Sequence, residues 1–270
     1  MSVYRKRNAT SPVTLVMYVV AAMILIIGVA TALWFNFKQD KLDKVTLCPS
    51  SGAKGQYVVL IDNTSPFPFT QKTALKQRLK DMVMNDLPKG AMLTVFLLGE
   101  DYQHNAEPVF EKCNPGQWAE GDEISKTKKF VDRDFNEKFV KPLEAVVNRI
   151  PLDVRAKTSP IFEMLQLTSQ RGFSHSNAKG EKQLIIYSDM AANMESFTMY
   201  KNPKLNYKEF STTPYSQKAT APHLAGVAVI INMMAAEPAV TPYNRRSEFW
   251  AAYFSANGAS LGDVIPMEGL

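Results

Sequence analysis

The stretch VVLIDNTSPF, Val58 to Phe67, decides how the rest of the chain is read. Its first half is an almost unbroken β-branched and aliphatic run. A strand exposed on one face would alternate apolar and polar residues, so this run belongs to a strand covered on both faces. Its second half turns polar at Asp62 and passes through Asn63, Thr64, Ser65 and Pro66, residues that form loops for identifiable local reasons. Runs of the same kind recur in AMLTVFLLG (91–99), KQLIIYSD (182–189) and LAGVAVIIN (224–232).

Helical spacing fills the intervals. Leu75, Leu79, Met82 and Val83 follow Thr70, which is expected to cap their helix. Phe135, Phe139, Leu143, Val146 and Ile150 form a second series, and TSPIFEMLQLTSQ (158–170) opens with proline near its first turn. RRSEFWAAYFSANG (245–258) is amphipathic, with Phe249, Trp250, Tyr253 and Phe254 on its apolar side and Gly258 as its stop. Strand and helix alternate, so the expected fold is α/β, a mostly parallel central sheet with helices on both faces. From Glu100 to Asp132 the pattern lapses into a polar segment.

The chain is 270 residues long, 46% hydrophobic and 21% charged, as a folded protein should be. Upstream of the alternating region, 23 residues from Val13 to Phe35 carry no ionisable group other than Tyr18. At about 1.5 Å each they are long enough to cross a hydrocarbon core about 30 Å thick. Arg5, Lys6 and Arg7 precede this span, which keeps the N-terminus cytoplasmic by the positive-inside rule. The expected organisation is a cytoplasmic tail (1–12), a transmembrane helix (13–35), a stalk (36–55) and an exported domain (56–270). The expected location is the inner cell membrane, single-pass, with the domain periplasmic or extracellular. A cleaved signal peptide, with Ala30 to Ala32 at its cleavage site, is the competing reading.

Without the three N-terminal cations the net charge of +5 falls to +2, which removes the compositional basis for nucleic-acid binding. Cys48 and Cys113 would lie in an oxidising compartment, where a disulfide is the favoured reading of their 65-residue separation.

In an open parallel sheet, ligands collect at the carboxyl ends of the strands. Asp62 and Asp189 each end a strand, so both carboxylates are expected on one rim. Thr64 stands in the first loop, and Thr158 and Ser159 stand just before a helix on the same side. Two carboxylates and two or three hydroxyls suit a hard divalent cation such as Mg2+.

This ordered set resembles the von Willebrand factor A domain, whose metal-ion-dependent adhesion site uses an Asp-x-Ser-x-Ser motif, a later threonine and a later aspartate. The match runs through Asp62, Thr64, Thr158 and Asp189, with Ser65 and Ser159 as weaker support, and covers about Gln56 to Gly258. Pro66 stands where the motif's second serine would be. The resemblance implies a protein-binding module engaged in adhesion or assembly of a membrane complex, rather than an enzyme.

A metal-dependent envelope hydrolase and a purely structural subunit of a membrane machine are the alternatives. No glycine-rich phosphate loop follows the first strand, and Ser188 lacks the glycine-flanked elbow of a serine hydrolase. The long segment 190–223 reads as an insert. Its Tyr200, Tyr207, Phe210 and Tyr215, interleaved with Lys201, Lys204 and Lys208, form either a partner-recognition surface or a self-packing cover.

Overall fold

The computed structural model describes residues 12–38, 40–102, 104–118, 128–175, 177–202, 204–236 and 240–267. The basic tail at Arg5 to Arg7 lies outside them. The chain divides into two compact units, Met1–Lys41 and Leu42–Leu270.

Among its described residues the first unit holds the helix α1 (Pro12–Lys38). Its segment Pro12–Thr31 has a mean hydropathy of 2.7 and no part of it is buried, so it is long and apolar enough to cross a membrane. Thr31 satisfies its own hydroxyl by donating to Ile27 O at 2.8 Å, the arrangement an apolar surrounding requires of a polar group.

The second unit contains β1 (Gln56–Asp62), α2 (Phe69–Asp81), β2 (Met92–Leu98), β3 (Phe110–Cys113), α3 (Lys128–Phe135), α4 (Lys141–Arg149) and α5 (Ile161–Gly172). It continues with β4 (Lys182–Ser188), β5 (Asn193–Met194), β6 (Phe197–Thr198), α6 (Tyr207–Phe210), α7 (Pro214–Lys218), β7 (Ala228–Met233), α8 (Tyr243–Ala256) and β8 (Ser260–Pro266). A six-stranded sheet runs β3-β2-β1-β4-β7-β8, parallel throughout except for the antiparallel edge strand β3.

β1 sits in the middle and is buried at all seven positions. Val58 and Leu60 face the core beneath α5, α8 and the insert, whereas Val59 and Ile61 face the core beneath α2, α3 and α4. That two-sided burial is why the strand reads as a continuous apolar run.

Four features differ from the sequence reading. The polar segment after Glu100 contains β3, which stays in place because Phe110 is buried and Cys113 is disulfide-bonded to Cys48, with Cα atoms 4.7 Å apart. β8 has no apolar signature because it pairs on one side only and is largely exposed. The folded body begins at Leu42, not Gln56. Leu47 is buried and Thr46 O accepts from Cys113 N at 2.8 Å, so most of the expected stalk is part of the domain. Thr70 lies inside α2, whose N-cap is Pro68 and has no side-chain cap. α5 likewise has Pro160 as its uncapped N-cap, which frees the neighbouring hydroxyls for other partners.

The segment 190–223 builds the β5–β6 hairpin, α6 and α7. Phe162 of α5 holds it down. Its ring centroid lies 5.0 Å from Phe210, 5.7 Å from Phe197 and 5.8 Å from Tyr215.

Candidate functional site: the carboxyl-end rim

Parallel pairing of β1 with β4, in a register that matches Ile61 with Tyr187, brings Asp62 and Ser188 side by side at the end of the sheet. Ser188 Oγ donates to Asp62 Oδ2 at 2.6 Å. The other carboxylate oxygen, Oδ1, accepts from Thr64 N at 2.8 Å and Thr64 Oγ1 at 2.7 Å. Thr64 Oγ1 in turn lies 3.0 Å from Ser159 Oγ. Ser159 is held by a reciprocal backbone pair with Asn193, at 2.8 and 3.0 Å.

Asp189 follows directly on β4. Its Oδ1 accepts from Ala191 N at 2.9 Å, and its Oδ2 accepts from Ser65 Oγ at 3.3 Å. Between these residues Met190 takes a left-handed φ of 54°, a conformation costly for a side chain of this kind. Ser188 Oγ accepts the Met190 amide at 2.8 Å, and Trp250 Nε1 donates to the Met190 carbonyl at 2.9 Å, so the surroundings enforce that turn.

Both carboxylates are inside the protein, Asp62 at 0% and Asp189 at 2% exposure. Burial raises the pKa of Asp62 despite the hydrogen bonds from Ser188 and Thr64. Burial first, and the negative charge of Asp62 second, push Asp189 up to about 6, against the Ala191 amide, the Arg246 guanidinium and Ser65. Arg246 is also buried. Its Nε donates to Thr241 O at 2.9 Å, one of its terminal nitrogens has no hydrogen-bond partner among the described residues, and desolvation lowers its pKa while Asp189 opposes that shift.

Asp62, Thr64, Ser159 and Ser188 therefore share one hydrogen-bonded node, and Asp189 with Ser65 forms a second pair on the adjoining residues of the same two loops. Thr158 makes no hydrogen bond to either carboxylate. It lines an adjoining polar cleft of about 160 Å3 together with Thr64, Ser65, Arg155, Ser159 and Tyr200. Of the insert residues, Phe210 is 3% exposed and acts in packing. Tyr215 donates its hydroxyl to Glu163 Oε1 at 2.7 Å, and Tyr207 packs at an angle against Phe210 of α6 and edge-on against Phe249 of α8. Ser188 and Arg246 carry no motif in the sequence. Only the parity of β4 hints that Ser188 lies on the rim.

The donor set does not fit a divalent cation as it stands. Both oxygens of Asp62 are engaged by three protein donors, the hydroxyl expected at position 66 is absent, and neither carboxylate lines the cleft. Nor does any group of three or more His, Cys, Asp or Glu side chains converge among the described residues. The buried guanidinium of Arg246 only partly opposes the rise in the pKa of Asp189.

The outer surface of the rim is different. Phe69, at the start of α2, is 82% exposed, and Pro66 and Pro68 beside it are exposed as well. The loop carrying them is tied to the loop carrying Val154, which is 45% exposed. Phe67 N donates to Leu152 O at 2.8 Å, and Ala156 N donates to Thr64 O at 2.9 Å.

No protein-family model matches the chain, and no curated protein matches it. Among solved structures, the human COPII-coat protein Sec24c aligns over 80% of this chain and 30% of its own length, with 9% identity and a TM-score of 0.42. The chain thus spans less than a third of that structure.

Proposed function

We propose that this chain is a membrane-tethered protein-binding module, with α1 as a single-pass anchor and the carboxyl-end rim of a von Willebrand factor A-like domain as its docking surface. The observation that carries the reading is the exposed apolar group of Phe69 and Val154. The two residues stand on hydrogen-bonded loops beside the polar cleft with Arg155. Exposed aromatic and arginine side chains next to a defended polar site are the usual makings of an interface centre. The rim is favoured over the insert because the insert spends its aromatic residues on the domain's own core. The disulfide supports a location on the oxidising side of the membrane, with the N-terminus in the cytoplasm.

Substituting Asp62 with alanine is a poor test, since it strips three donors of their acceptor inside the protein. A photo-crosslinking amino acid placed at Phe69 of the full chain in native membranes is cleaner, with Lys89, exposed at the opposite end of the sheet, as the control. A discrete protein adduct from position 69, and none from 89, is the expected outcome. Equal labelling from both, or none from 69, would remove the rim as the docking surface.

A further inference from the structure

We infer that a methionine-walled cavity at the carboxyl end of the sheet receives the carboxamide side chain of a glutamine from the protein partner, held by Gln71 and Arg246. This deepens the rim-docking reading and rests on it, since Gln71 stands two residues beyond Phe69 on the first turn of α2.

The cavity has a volume of about 340 Å3 and lies where α2, α8 and the ends of β7 and β8 meet. Met233, Met234, Met267 and Ala235 give it an apolar and adaptable wall. Gln71 and Arg246 line it too, although they are only 5% and 4% exposed. Each keeps one buried atom without a hydrogen-bond partner among the described residues, Oε1 of Gln71 and Nη1 of Arg246. The bond from Arg246 to Thr241 O uses Nε and does not engage Nη1. Tyr243, another lining residue, already spends its hydroxyl on Val264 O at 3.1 Å. Unpaired buried polar atoms are costly and rare. Here an acceptor and a donor of that kind share one cavity.

Their complement is a neutral group that both accepts and donates. A carboxamide does so, its oxygen accepting from Arg246 Nη1 and its NH2 donating to Gln71 Oε1. Charge selects the same group. A carboxylate would set another acid near Asp189, which already shares the Arg246 guanidinium, and it has no proton to offer Gln71 Oε1. An ammonium group would oppose that guanidinium. An aliphatic side chain would leave both orphans unmet. At about 340 Å3 the cavity is near the lower end of ligand pockets, about 300–1,000 Å3, which suits one side chain. The methylenes of glutamine would run along the methionines.

The test uses the full chain in lipid nanodiscs, carbon-13 labelled at its methionine methyl groups. The probes are N-acetylated, C-amidated tripeptides with Gln, Glu, Met or Lys between two alanines. The Gln tripeptide is expected to move the NMR signals of Met233, Met234 and Met267 and to bind at least tenfold more tightly than the other three. Gln71→Met replaces the orphan acceptor by an apolar side chain of similar length and should abolish that preference. Ala235→Phe, at an exposed position of the wall, should do the same by filling the cavity, with native tryptophan fluorescence as the check on folding. The proposal is overturned if the Gln tripeptide leaves the three methionine signals in place, which would make water the partner of both orphans. It is also overturned if the Glu, Met or Lys tripeptide binds as tightly, or if the preference survives either variant. Crosslinking at Phe69 separates the two readings. Adducts that persist without a glutamine preference sink the carboxamide site and leave rim docking standing, whereas loss of the adducts with the preference intact sinks rim docking alone.

Discussion

The two ends of the sheet are built to opposite purposes. At the amino end the chain closes on itself. Lys54 N donates to Gly90 O, Gln56 N to Glu181 O, and Lys179 N to Ala53 O, all at 2.8–2.9 Å, and the Cys48–Cys113 bridge ties down the edge strand. Gly180, at φ 98°, lies so close to this knot that a Cβ there would stand 2.3 Å from Lys54 O. The carboxyl end instead keeps two acids out of water and leaves an aromatic ring in it. Stability is concentrated at the first end. Costly features that contribute nothing to packing are concentrated at the second, as in sites that act on something else.

Four measurements probe that contrast, in falling order of effect on stability. Replacing both cysteines by serine releases a loop closed over 65 residues and should cost about 4 kcal/mol in the chain-entropy description. Urea unfolding followed by tryptophan fluorescence would register it, and a loss under 1 kcal/mol would mean that the amino end is held by its backbone bonds alone.

The second concerns Asp189. Its folded pKa of about 6 lies above the ordinary value of 3.8, so the folded state holds its proton more tightly than the unfolded state. Its contribution is therefore fully favourable below about pH 4 and is lost as pH rises through 6, an effect on the order of 2–3 kcal/mol. Asp189→Asn should gain stability relative to the parent protein across that window, and parallel pH profiles would show the opposite.

Ser188→Ala removes a donor to Asp62 and the acceptor of the Met190 amide, and is expected to cost roughly 1–3 kcal/mol. Phe69→Asp should change stability by less than about 0.5 kcal/mol, because the side chain is 82% exposed, while abolishing crosslinking from the neighbouring Val154. If Phe69→Asp instead unfolds the protein, the ring belongs to the core and the contrast between the two ends fails.

The strands were legible where both faces are covered, because double burial writes a continuous apolar run in β1, β2, β4 and β7. β8 escaped notice for the converse reason, and β3 because a disulfide and one phenylalanine do the work of a longer run. At the rim, Asp62 and Asp189 could be placed on the same edge from strand endings alone. Their partners could not. Thr158 and Ser159 are adjacent in the chain, and nothing local says which meets Thr64; the Ser159–Asn193 backbone pair decides it. Arg246 is unremarkable in a helix that also carries Arg245, and only packing turns one inward to Asp189 and leaves the other outside.

By itself, the amino-acid order determined what depends on local periodicity and hydropathy. It specified an apolar helix long enough to span a bilayer, the alternation of strand and helix, and the ends of strands where charge begins. The tertiary structure alone decided which hydroxyl serves which carboxylate, which arginine is buried, and which aromatic residues are spent on the core rather than shown to a partner. Those outcomes depend on contacts between residues as much as 126 positions apart, such as Asp62 and Ser188, and proximity of that kind is created only when the sheet assembles.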